Sequence, residues 1–208
     1  MKQKENRDRI IAIAALAIGL VATLLISSAV SFAETCGPIR NGVLRLHILA
    51  NSDSDEDQRL KLAVRDRVLT LDLFSSGHAA SKEEAEQETA SSLLEIEEAA
   101  REELRRQGCT DDVKAELVRM YFTTRVYENV TLPAGYYDAV RITIGEGAGH
   151  NWWCVLYPPL CIPAAEAEEP LDVFTPEEEE IITGEEYEVR FFLVELYESI
   201  CNFLFGRG

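Results

Sequence analysis

The spacing of apolar side chains changes repeatedly along the chain, and each change marks an element. Residues 10–33 carry no charge, and 10–26 are almost purely aliphatic with no polar face. About 20 apolar residues suffice to cross a bilayer. Over residues 42–50 the period falls to two, with Leu44, Leu46 and Ile48 on one side and Arg45 and His47 on the other. That alternation predicts a strand with one polar face. Asn51-Ser52-Asp53-Ser54 is turn and capping chemistry, and a helix follows over 55–71 with Leu60, Ala63, Val64, Val68 and Leu71 on one stripe. Gly77-His78 interrupts the chain. Ser81-Lys82-Glu83-Glu84 is a capping box opening a second helix to about Gln107, with Ala85, Thr89, Leu93, Ile96, Ala100 and Leu104 inward.

From Val113 the period returns to two. A strand is expected over 113–122, continuing loosely through 125–130, followed by turn residues Leu132-Pro133-Ala134-Gly135. Residues 137–144 alternate again, Gly145-Glu-Gly-Ala-Gly149 is a hairpin loop, and 152–157 form a further strand ending at Pro158-Pro159. Residues 163–188 are rich in proline and acid, without Lys or Arg, and read as a solvated linker. Helical spacing resumes over 189–205 at Val189, Leu193, Leu196 and Ile200. The order gives a single α/β domain of α+β character over residues 40–162. Its mixed, largely antiparallel sheet carries one helical layer, with an N-terminal signal or anchor helix at 1–33 and a C-terminal helix packing on the domain. That last helix is apolar around much of its circumference, and docking on a partner is its second reading.

Charge sets the compartment and removes one class of function. Residues 1–9 carry four basic and two acidic side chains, so this flank stays cytoplasmic and the remainder is exported. Ser31-Phe32-Ala33 has the small-x-small form of a cleavage site, so both a cleaved signal peptide and a retained anchor are consistent with the segment. The chain's net charge of −17 opposes binding to phosphate backbones, which excludes a nucleic-acid role.

Candidate chemistry is sparse. Asp53, Asp55 and Asp57 imitate the start of a calcium loop, but Gln58 replaces the required glycine and Val64 the closing glutamate; helix capping accounts for them. His47, His150 and Cys154, with Asn51 or Asn151 as orienting group, form the candidate for an exported hydrolase. Cys154 stands in an apolar run where a thiol stays protonated, which counts against that reading. No cofactor and no metal site are expected. Cys154 and Cys161 are separated by a Pro-Pro turn, so they are read either as a disulfide or as two buried thiols.

Three segments together resemble one family. They are Leu44-Arg-Leu-His47-Ile-Leu-Ala-Asn51-Ser-Asp53-Ser-Asp-Glu-Asp57-Gln58…Lys61…Val64-Arg65-Asp66, then Gly149-His150-Asn151-Trp152-Trp153-Cys154-Val-Leu-Tyr157-Pro-Pro-Leu-Cys161, and Glu188-Val-Arg190-Phe-Phe-Leu-Val-Glu195. The chain is similar to the stage II sporulation protein R family of endospore-forming bacteria over roughly residues 40–200. The resemblance implies a signalling protein and no catalysis: made in the forespore, exported into the space between the septal membranes, and acting there on a membrane-bound aspartic protease. That partner, stage II sporulation protein GA, would then process the precursor of sigma factor E. No small-molecule substrate is implied. The receptor-facing candidates are the polar side of the first strand and its turn (Arg45, His47, Asn51, Asp53), with His150, Asn151, Trp152 and Trp153.

Overall fold

The computed structural model describes residues 2–75, 79–127, 130–159, 173–184 and 187–205. Gly77-His78, Cys161 and most of the expected linker, residues 163–172, lie outside them.

The aliphatic segment is the first half of one 40-residue helix, α1 (Lys2–Asn41), which accommodates Pro38 near its end. Residues 6–28 are exposed throughout, which suits a helix with no polar face. From Ala29 the helix changes character, burying Ala29, Phe32, Ala33, Cys36 and Ile39 on one stripe. The helix therefore runs straight from an apolar rod into the domain core, with no linker between them.

Strand β1 (Leu44–Leu49) follows within three residues. Helix α2 (Asp55–Leu69) starts where the Ser54 hydroxyl accepts from the Asp57 amide, and three acidic residues occupy its first turn. A short helix α3 (Asp72–Ser75) leads to α4 (Lys82–Ser91) and α5 (Leu93–Arg106). The predicted second helix is thus two. Ser92 is the C-cap of α4, and the neighbouring Ser91 hydroxyl donates to the Glu88 carbonyl at 2.8 Å. Adjacent serines compete with the helical ladder for backbone partners, and the helix breaks there. The predicted inner face survives the break, because Thr89, Ile96, Ala100 and Leu104 are all buried.

Strands β2 (Val113–Phe122), β5 (Gly135–Ile144) and β6 (Asn151–Tyr157) complete a four-stranded sheet of order β2-β5-β1-β6. Only the β1–β5 pair is parallel, with Leu46 opposite Val140; β2–β5 and β1–β6 are antiparallel. Residues 125–130 do not extend β2. Instead β3 (Arg125–Tyr127) and β4 (Val130–Leu132) pair with each other as a separate hairpin.

One face of the sheet presents Leu46, Ile48, Val140, Ile142 and Leu156 to α2 and α5, which contribute Leu60, Val64, Val68, Ile96 and Leu104. The other face is covered too. There Phe122, Tyr137, Ala139 and Val155 meet the last turns of α1, the β3–β4 hairpin, α6 (Pro176–Thr183) and α7 (Glu188–Phe205). Helix α6 corrects the reading of 163–188 as solvated linker throughout: Phe174, Ile181 and Ile182 are buried in this second core. A capping box between Thr175 and Glu178 opens α6. Its acidic residues crowd the first turn, where the helix dipole favours them, while the two isoleucines turn inward.

Candidate functional site

The turn after β1 and the loop before β6 are locked into one corner. The amide of Ala148 donates to the Asn51 carbonyl (3.1 Å), and that of Gly149 to the Ala50 carbonyl (2.9 Å). The Asn51 side chain bridges outward, its Oδ1 accepting from the Glu146 amide and its Nδ2 donating to Asp57. Asp57 also accepts from Ser52 Oγ at 2.5 Å, and these bonds, Ser52 first, hold its carboxyl below the usual carboxylate range. The glycine spacing of the loop now has a cause. A Cβ on Gly149 would lie 2.1 Å from the Ser52 carbonyl oxygen, and one on Gly145 (φ +54°) 2.3 Å from Asn51 Oδ1.

At the rim of this corner Asp53 accepts from the His150 amide at 2.5 Å and contacts the imidazole Nδ1. The amide bond is the larger cause of a lowered Asp53 pKa, and the ring adds to it. Beneath them Lys61, though only 5% exposed, donates to Gln58 Oε1 (2.6 Å) and to the His150 carbonyl (2.9 Å). Burial lowers its pKa. Beside the corner, the Arg65 guanidinium lies 4.3 Å from the Trp152 ring and pairs with Asp66 at 2.6 Å. The outer surface so formed carries Asp53, His150 and Asn151 exposed, with Asn51 and Trp152 half-buried.

Arg45 and His47 do not belong to that surface. Both are buried on the second face of the sheet, because the face that alternation marks as polar is roofed by α1, the hairpin, α6 and α7. Arg45 is fully enclosed, its guanidinium 4.0 Å from the Phe122 ring centre and 4.8 Å from that of Tyr137, and it donates to the Tyr127 hydroxyl. Among the described residues its Nε and Nη1 have no hydrogen-bond acceptor. Cation–π attraction to the surrounding rings offsets part of the desolvation that lowers its pKa. His47 stacks flat on Trp153, 4.0 Å between centroids. Burial, then the charges of Arg141 and Arg45, push its pKa down to about 4, so it is neutral at pH 7. The eight candidates thus divide into an outer corner of five and an inner group of three, with Trp153 beside Arg45 and His47. Alternation could not reveal the roof, since the covering elements lie far off in sequence. Lys61 and Arg65 are not among the eight, although a lysine on the inward side of α2, between Leu60 and Val64, is the signal that marks one of them.

The hydrolase arrangement is not assembled. Cys154 is disulfide-bonded and lies in the core beneath α2 and α5, while His47 projects from the opposite face and His150 is engaged with Asp53 at the rim. Cys36, Cys109 and Cys201 are free, and Cys161, the expected partner of Cys154, lies outside the described residues. Among the described residues no group of three or more His, Cys, Asp or Glu side chains is placed to hold a metal ion.

Comparison with known proteins adds to this geometry. The family model described as stage II sporulation protein R matches residues 40–167, which contain the whole four-stranded sheet, α2 to α5 and the corner. Stage II sporulation protein R of Bacillus subtilis (strain 168) is 43% identical over 123 residues, covering 59% of this chain. The match spans 55% of that relative's own length. No solved structure matches the chain.

Proposed function

The chain belongs to the stage II sporulation protein R family, and from that premise we propose that it is an exported, membrane-tethered signal. It acts across the septal space on the membrane-bound aspartic protease, stage II sporulation protein GA, and so triggers processing of the sigma factor E precursor. The observation that carries this reading is the family match over the domain that bears the corner. In that corner the polar residues of both motif segments are spent on each other and leave a shaped exterior. A signalling ligand needs such a surface, held before binding, so that little ordering is lost when the partner docks.

The receptor-facing patch in this proposal is Asp53, His150 and Asn151, flanked by Trp152 under Arg65. Aromatic and arginine anchors are typical of interface centres. Arg45 and His47 support the sheet behind it. Activation follows if the patch binds the active state of the receptor more tightly than the inactive one. The tether in this proposal is α1, retained rather than cleaved, because Ala29, Phe32 and Ala33 on the near side of the cleavage-like site are part of the core.

Co-production of the receptor protease, the sigma-factor precursor and the exported chain tests the proposal. Processing should require the chain. It should fall with His150→Ala or Asn151→Ala when the folded, exported protein is present at equal level. Processing that proceeds without the chain, or is indifferent to every exposed corner residue, refutes it.

A further inference from the structure

Helix α7 carries two apolar faces, and among the described residues the fold buries only one. Phe191 and Val194 are buried, with Phe191 and Tyr187 packed on Phe32 of α1 at ring distances of 5.5 and 5.8 Å. Phe192, Leu196, Ile200 and Phe203 are exposed at 65, 47, 49 and 88%. At 100° per residue these four fall on a single stripe on the side of the helix away from Phe191 and Val194. Four large apolar side chains in register are a patch, unlike single exposed residues such as Leu94 on α5.

Position along α1 identifies what covers the stripe. The exposed aliphatic run of α1, residues 10–28, is about 28 Å long at the helical rise, the thickness of a hydrocarbon core. Phe32 is four residues farther on, about 6 Å, which is still within the headgroup zone. Helix α7 is fastened at that level, by Tyr187 and Phe191 on Phe32 and by Arg190 over the same ring at 5.6 Å. A second fastening joins Glu195 to the Thr124 amide just past β2 at 3.2 Å.

We propose that α7 is an interfacial helix, lying with Phe192, Leu196, Ile200 and Phe203 in the headgroup–acyl boundary of the membrane that α1 enters. The proposal rests on α1 being a retained anchor. It adds a second contact, which stops the domain from rotating about a single helix and fixes the direction in which the corner faces. The polar residues of α7 include Glu188, Glu195 and Glu198 against Arg190 alone. Its seating therefore depends on apolar burial and not on attraction to anionic lipid.

The full chain is reconstituted in phosphatidylcholine vesicles with the photoreactive residue benzoylphenylalanine replacing Phe192, Phe203, Leu20 of α1 or Leu94 of α5, one at a time. The proposal expects lipid adducts at Phe192, Phe203 and Leu20 and none at Leu94, with the α7 adducts weakened when phosphatidylglycerol is added. Lipid adducts at Leu20 alone, with α7 joined to a second copy or to nothing, overturn the interfacial helix while the anchor stands. Absence of lipid adducts at Leu20 overturns the anchor and, with it, this proposal. An α7 adduct that strengthens with phosphatidylglycerol contradicts the apolar mode of seating.

Discussion

Replacing Phe32 by alanine tests whether the N-terminal helix is part of the domain. Phe32 is 7% exposed, stacks nearly parallel on Tyr187 (8° between planes), touches Phe191 and has Arg190 over its ring. Truncating a buried phenylalanine to alanine costs about 3–5 kcal/mol, and the lost aromatic pairing belongs to the upper part of that range. For a chain of this size each kcal/mol moves the unfolding midpoint by about 2–4 °C, so a cost near 4 kcal/mol lowers it by about 8–16 °C. Ile13→Ala, at a position 66% exposed in the aliphatic half, leaves the domain's midpoint unchanged. Near-ultraviolet circular dichroism of the full chain in detergent micelles follows the transition, since the affected packing is aromatic. Residues 34–208 alone, which lack Ala29, Phe32 and Ala33, should melt lower still. Equal midpoints for the full chain, Phe32→Ala and 34–208 would refute the docking of α1 and restore a cleavable leader.

His47 is neutral in the fold because its pKa is held at about 4, whereas an unfolded histidine titrates near 6.5. Its contribution is fully present above pH 6.5 and is lost as pH falls toward 4, a loss of about 3 kcal/mol that His47→Gln should abolish in denaturant titrations across that window. Tyr127→Phe removes the hydrogen-bond acceptor described for the buried Arg45 guanidinium and should cost about 1–3 kcal/mol. In an Arg45→Met background the same substitution should be nearly neutral, and equal costs in both backgrounds contradict the coupling. Gly145→Ala strains a left-handed residue and drives a methyl into Asn51; a loss of about 1–3 kcal/mol is expected by urea unfolding, and an unchanged midpoint counts against the clamp.

Local pattern exposed some of this molecule and hid the rest for identifiable reasons. Leu44, Leu46 and Ile48 alternate with Arg45 and His47 as a strand must, and the inward stripe of α2 is legible residue by residue. The burial of Arg45 and His47 is not, because the rings packed on them include Phe122, Tyr127 and Trp153, far away in sequence, and contacts of such separation leave no local period. The acidic composition around Ile181 hid a helix whose apolar content is two adjacent isoleucines, with Phe174 just ahead of its N-cap. The corner was half legible. Asn51, Asp53 and His150 stood out as residue types, but the reason for glycines at 145, 147 and 149 appears only when Asn51, Thr143 and Ser52, respectively, are seen pressed against them. Trp152 and Trp153 illustrate the pleat: adjacent in sequence, one lies under Arg65 and the other against His47.

The central claim is that an exposed corner, presented by a membrane-held domain, is what the partner reads. The most direct measurement is precursor processing in cells co-producing the receptor protease and the precursor, comparing the full chain with His150→Ala, Asn151→Ala and Leu94→Ala at matched levels of folded, exported protein. The account predicts processing with the full chain and with Leu94→Ala, and a marked loss with the two corner variants. Undiminished processing by both corner variants, or processing in cells without the chain, would contradict it.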